Sequence, residues 1–256
     1  MNDIDYNTAL KELLFKMADD QYIYGHRTSE WIGIGPIIEE DIAFGSIAQD
    51  KVGHSLNIYQ MLHQLGEADA EKLVFTRNEN EYKCCHLVEL PIGEYDFAIM
   101  RHFMFDHAEY IRFEMLTESS YHPLANLAKK YKGEIKYHIF HANTWLKLLA
   151  EGNEESKGRM QSALNQVYPM AMGIFEESPY EEILRSEHIF KGEAALKSVW
   201  MERTEEFLQS VGLQIPNNKD FSEAMGGRKG YHTEYFGPLL KEIKEVFVTE
   251  DPSASW

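Results

Sequence analysis

Eleven histidines and 42 carboxylates are the residues in this chain best suited to chemistry. Imidazoles and carboxylates together hold divalent metals and move protons. On helices, a binuclear centre is typically built from one Glu-x-x-His pair on each of two helices and a single carboxylate from each of two more. Residues three apart share a helix face, so both side chains reach one interior point. The histidines are His26, His54, His63, His86, His102, His107, His122, His138, His141, His188 and His232. Three residues before them stand Ile23, Lys51, Gln60, Lys83, Ile99, Met104, Ser119, Ile135, His138, Arg185 and Lys229. None is acidic, so the sequence contains no Glu-x-x-His or Asp-x-x-His.

The two histidines nearest the expected places are His54 and His138. His138 falls on the stripe Leu124, Leu127, Tyr131, Ile135, Ala142, Trp145 and is expected to face inward. Its partner position is Ile135, which has no lone pair to offer, and that of His54 is Lys51, which when protonated repels a cation. Asp50–His54 and Glu134–His138 are i,i+4 pairs that could meet as ligands or as plain hydrogen bonds. Asp20, beside the stripe Leu10, Leu13, Leu14, Met17, Gln21, Tyr24, and Asp106, near Phe103, Tyr110 and Phe113, are candidate inward acids. A buried carboxylate needs a partner. Lys51 is expected to supply it, pairing with Asp20 or Asp106 in place of metal charge; the competing reading has Lys51 snorkel to solvent. Asp20, Lys51, His54, Asp106, Ile135 and His138 therefore outline a vestigial metal site, with no metal ligand, cofactor or catalytic residue assigned to this chain.

Other motifs are weaker. The turn Gly226-Gly227-Arg228-Lys229-Gly230 could touch a ligand phosphate, but it lacks the ending of a P-loop, and a structural turn or a partner contact explains it more simply. Arg27, Glu30 and Trp31 would form an interface or lock a helix turn, and the lock is preferred. No nucleophile elbow is present. Cys84 and Cys85 are adjacent, cannot staple distant segments, and read as a reduced pair in a connection.

The elements that must place these residues are helical. Val and Thr are sparse, whereas Leu, Ala, Glu, Lys and Met are plentiful. Periodicity predicts long helices over about Thr8–Trp31, Pro36–Leu65, Glu94–Ser119 and Pro123–Gly152. Further helices are expected over about Glu154–Glu177, kinked or split at Pro169, and over Gly192–Val211, with a last one ending near Val248. The long link from Gly66 to Gly93 should hold a short helix around Asp69–Arg77. Two tight hairpins joined by a long connection are the layout of a ferritin-like four-helix bundle. The expectation is all-α: one domain over 1–256, with the bundle core at about 8–152 and extra helices at about 153–249.

Composition narrows the functions. Apolar residues make up 44% and the formal charge is −17, so the chain is globular and repels phosphate backbones and anionic lipid surfaces. The longest stretch without a formal charge, Met160–Phe175, is too short and too polar to span a membrane. The acidic start Met1-Asn2-Asp3-Ile4-Asp5 lacks the order of a signal peptide, and the expected compartment is the cytoplasm.

The stretch Gly25-His26-Arg27-Thr28-Ser29-Glu30-Trp31-Ile32-Gly33-Ile34-Gly35-Pro36-Ile37-Ile38-Glu39-Glu40-Asp41-Ile42-Ala43 resembles the signature of the PaaC family, the C subunits of the ring-1,2-phenylacetyl-CoA epoxidase (phenylacetyl-CoA monooxygenase). The segment Gly226-Gly227-Arg228-Lys229-Gly230-Tyr231-His232-Thr233-Glu234-Tyr235 is similar to that family's closing motif, marking Arg228, His232 and Glu234 as structural or interface residues. Asp50, Gly53, Tyr137-His138, Leu213, Pro216 and Trp256 also fit. The resemblance covers nearly the whole chain. It implies a ferritin-like, non-catalytic subunit that pairs with a di-iron A subunit. A small B subunit would complete the core, and a reductase carrying flavin and an iron–sulfur cluster would deliver electrons from NADPH. The complex would epoxidise the ring of phenylacetyl-CoA. Two competitors remain from the residues alone: an autonomous di-metal oxidase using His54, His138 and nearby carboxylates, and a helical binding protein unrelated to oxygen chemistry.

Overall fold

In the computed structural model, which describes residues 3–217 and 220–249, the four long periodic stretches are long helices. In chain order the helices are α1 (Asp3–Ser29), α2 (Ile38–Gln64), a short α3 (Ala70–Phe75), a single turn α4 (His86–Glu89), α5 (Tyr95–Leu116) and α6 (His122–Ala150), the long ones being α1, α2, α5 and α6. Then follow α7 (Glu154–Ala171), α8 (Glu181–Ser186), α9 (Glu193–Ser210) and α10 (Phe236–Thr249). No strand occurs among the described residues. Trp256, part of the family resemblance, lies outside them.

α1 packs along α2 and α5 along α6 as two hairpins, with α7 and α9 covering α5, and α8 resting on α1. The result is a ferritin-like helical bundle with additional C-terminal helices, as the periodicity predicts. One continuous apolar core runs from Ala9 to Ile243.

Boundaries differ where local chemistry overrides periodicity. α1 starts earlier than predicted and stops at Ser29, two residues before Trp31. Trp31 folds back into the core, against Phe44 and Tyr95 at ring separations of 5.9 and 5.7 Å. α2 begins two residues after Pro36, because the Gly35 amide donates to the Asp41 carboxylate at 2.8 Å and closes the turn first. Acidic Glu39, Glu40 and Asp41 then face the positive helix start.

Pro169 does not split α7. It lies in the last turn, and the chain continues to Ala171 before tightening into a 3₁₀ turn at Met172–Phe175. A missing N–H so near the end disturbs little of the helix. α3 lies inside its predicted span, capped by the Asp69 side chain. α4 and α8 are too short to show a period, and the sequence pattern does not predict them.

Candidate functional site

The interior charge cluster is assembled by α2, α5 and α6. Lys51 of α2 and Asp106 of α5, both wholly buried, form an ion pair. Asp106 also lies 2.6 Å from His102 Nδ1, one turn earlier on α5, and 3.2 Å from His138 Nδ1 on α6. The other nitrogen of His138 stands 3.1 Å from Asp50 on α2. His54 Nε2 meets Glu134 of α6 at 2.8 Å, and its ring lies on Tyr131, centroids 3.7 Å apart. Ile135 is fully buried on the inner face of α6.

The two i,i+4 pairs of the sequence have thus exchanged partners. Asp50 serves His138 and Glu134 serves His54, so both bonds cross between helices. Both imidazoles are buried and reach over the α2–α6 seam, where half-exposed carboxylates of the opposite helix meet them. The order of pairings, Glu40–His141, Asp50–His138 and His54–Glu134, shows α2 and α6 running antiparallel.

Electrostatics follow from this geometry. Burial works against the Asp106 carboxylate, but Lys51 and His102 outweigh it and hold its pKa well below the ordinary range. Burial disfavours the charged form of His138 as well, yet Asp106 and Asp50 at its two nitrogens raise its pKa. Burial, with Lys51 and His138 nearby, pushes His54 down to about 2. Burial likewise lowers His102 to about 4 against the pull of Asp106. The cluster therefore sets Lys51 and His138, whose charged form is favoured by its two carboxylates, around one shared acid, beside two imidazoles held neutral by burial.

These residues do not fit a binuclear iron centre. Two metal ions need several free carboxylates, whereas the one wholly buried acid here, Asp106, already faces an ammonium and two histidines. A metal entering at Asp106 would have to displace Lys51.

Asp20 does not join Lys51. It receives both terminal nitrogens of Arg228 at 2.7 Å and the Cys85 amide at 2.8 Å. Arg228 is buried and also donates to the carbonyls of Lys83 and Ile174, so it is closed to a CoA phosphate; Lys229 pairs with Glu176. The turn around Arg228 needs its glycines for close approach. A Cβ on Gly227 would stand 2.2 Å from the Cys84 carbonyl oxygen, and one on Gly230 2.1 Å from that of Asn80. His232 and Thr233 both bind Glu89 of α4, whereas Glu234 is exposed. Arg27 binds Glu30 at 2.8 Å and the Glu89 carbonyl at 3.2 and 3.0 Å, so it ties α1 to α4 rather than only locking the α1–α2 turn.

Sequence reasoning missed His102, Glu89 and further buried acids, among them Glu193, Asp19 and Glu40. Glu193 pairs with Lys16 and Arg112, which pull it down to about 2 against burial. Asp19 gathers Arg77, Tyr59 and the Lys83 amide. Glu40 accepts from Tyr95 at 2.6 Å and lies 3.0 Å from His141. These partners lie 40 to 177 positions from their acids, beyond any local spacing rule. The one legible signal is the doubled acid Asp19-Asp20 inside an apolar stripe.

The outer faces of α2 and α6 are unusually apolar. Ile38, Ile42, Val52 and Leu56 on α2 and Tyr137, Phe140 and Leu148 on α6 are exposed, Ile38 by 69% and Phe140 by 66%. The helix-interior glycines Gly53 and Gly133 on the same helices have open space where a Cβ would stand.

Among known proteins, a family model described as "Phenylacetic acid catabolic protein" matches residues 1–256. The chain is 30% identical over 230 residues to the C subunit of the 1,2-phenylacetyl-CoA epoxidase of Escherichia coli (strain K12). That match covers 90% of this chain and 92% of the relative.

Proposed function

The chain belongs to the phenylacetic acid catabolic protein family, and from that premise we propose that it is the structural, non-catalytic C-type subunit of a phenylacetyl-CoA epoxidase. The observation that carries the non-catalytic reading is Lys51 paired with Asp106 in the bundle interior. A fixed ammonium and an isoleucine stand where a di-metal bundle would place ligand carboxylates. In this reading oxygen chemistry belongs to a di-iron A subunit, one oxygen atom going to the aromatic ring and the other to water. Electrons come from NADPH through the flavin and iron–sulfur cluster of a reductase, and a B subunit completes the core. The assembly works in the cytoplasm.

The apolar faces of α2 and α6 support pairing with the A subunit. Helix-interior glycine costs about 0.5–1 kcal/mol against alanine, and nothing among the described residues crowds Gly53 or Gly133. A helix of the partner lying across the seam would use that room and cover Val52, Leu56, Tyr137 and Phe140. A permanent interface of this kind buries on the order of 2,000 Å² or more.

The test is iron content and co-purification. The chain purified alone is expected to hold only trace iron, and the complex to carry its iron in the A subunit. Near two irons per chain in the isolated protein would overturn the non-catalytic reading. Phe140→Asp should abolish co-purification with the A subunit while leaving the melting temperature of the free chain unchanged, because Phe140 contributes little to its own core.

A further inference from the structure

We propose that Cys84, Glu89 and His232 form a structural binding site for one zinc-class divalent cation, independent of the subunit role above. The three come from separate pieces of chain: the link before α4, the last residue of α4, and the closing motif. Among the described residues they are the one group of three such donors whose ligand atoms all lie within 4.8 Å of one another. Cys84 Sγ is 3.5 Å from Glu89 Oε1 and 3.9 Å from His232 Nδ1, and Nδ1 is 2.7 Å from Oε1.

These separations are close to the edges of a coordination tetrahedron. Zinc holds sulfur at about 2.3 Å and nitrogen or oxygen at about 2.0–2.1 Å, which puts sulfur about 3.5 Å from either and nitrogen about 3.3 Å from oxygen. Both sulfur edges agree within a few tenths of an ångström. The histidine–carboxylate edge, now closed by a hydrogen bond, opens by about 0.6 Å as the metal replaces the proton.

Charge argues the same way. Glu89 is wholly buried, and its side-chain contacts are the Cys84 thiol, His232, and the amide and hydroxyl of Thr233 at 2.8 Å each. No lysine or arginine is among them, unlike Asp20, Asp106 and Glu193. A thiolate and a carboxylate around a dication sum to zero, which removes the cost of an uncompensated buried charge. Thr233 holds the second oxygen, Glu89 Oε2, and so orients the first toward the other donors. Burial and the Glu89 charge keep the Cys84 thiol pKa well above its ordinary value, so loading the site releases a proton. The bound ion would fasten the closing motif to a segment 148 positions away.

Cobalt(II) titration of the full-length, untagged protein, stripped with chelator, tests this. One equivalent should produce the thiolate-to-cobalt charge-transfer band in the near ultraviolet, with visible bands of tetrahedral cobalt, and zinc should abolish both. Cys84→Ser should lose the charge-transfer band, and Cys85→Ala should keep it. X-ray absorption of the cobalt-loaded wild type should show one sulfur beside nitrogen and oxygen, a readout that holds even if the serine variant fails to fold. No band at one equivalent, ligation without sulfur, or a band lost in Cys85→Ala but kept in Cys84→Ser would overturn the site, leaving only a hydrogen-bonded triad.

Discussion

Replacing Lys51 by Met tests the interior charge balance most directly. Methionine nearly matches the length of the lysine stem and remains apolar, so packing against Tyr24 and Phe105, whose rings lie 5.7 and 5.1 Å from the ammonium, is largely kept. What is lost is the charge facing Asp106, in a place where both side chains have no solvent contact. Removing one partner of a buried ion pair costs about 3–5 kcal/mol. His102 at 2.6 Å and His138 at 3.2 Å remain to absorb part of the stranded charge, which puts the expected loss near the lower end, about 3 kcal/mol. For a chain of this size that is a fall of about 6–12 °C in melting temperature. Adding Asp106→Asn removes the stranded charge as well, so the double variant should recover much of the loss. Thermal melts followed by far-ultraviolet circular dichroism, with urea titration for the free energy, give both values. A single variant that melts within about 1 °C of wild type, or a double variant no more stable than the single one, would refute the reasoning.

Other expectations concern the remaining buried charges. Glu193 titrates near 2 in the folded protein against an ordinary 4.5, so its contribution of about 3 kcal/mol is present above pH 4.5 and lost as pH falls toward 2. Glu193→Gln should lower the melting temperature at pH 7 and flatten its decline in acid. His138 has a raised pKa, so its contribution is full below about pH 6.5 and fades as pH rises through the native value. His138→Gln should melt lower at pH 6 and show less loss between pH 6 and 9. Arg228→Ala strands Asp20 and should cost about 3–5 kcal/mol, seen in urea titration and as faster proteolysis around Gly226–Gly230.

The fold is legible because its four long helices carry sustained apolar periods, as at Leu10, Leu13, Met17 and Tyr24, ended by Gly and Pro. One-turn pieces such as α4 and α8 carry no period, and Pro169 reads as a breaker although its place in a last turn makes it harmless. Within the site, residue types are readable and partners are not. Lys51 and Asp106 both stand out from their stripes, but Asp20 is an equal candidate, because the sequence does not show that Arg228 claims it. His102 escapes the rule of an acid three positions before the histidine, because its acid, Asp106, lies four after it. The crossing of Asp50 to His138 and of Glu134 to His54 depends on the antiparallel register of α2 and α6, which no single helix encodes.

The pairing of Asp20 with Arg228, 208 positions apart, bears on how the chain is made. On the ribosome, α1 emerges long before its counter-ion is synthesised, and until then Asp20 must stay wetted. The nascent bundle therefore cannot dry its centre hairpin by hairpin. A prematurely terminated product would keep a water-filled seam beside α1 and present itself to cellular proteases as unfinished.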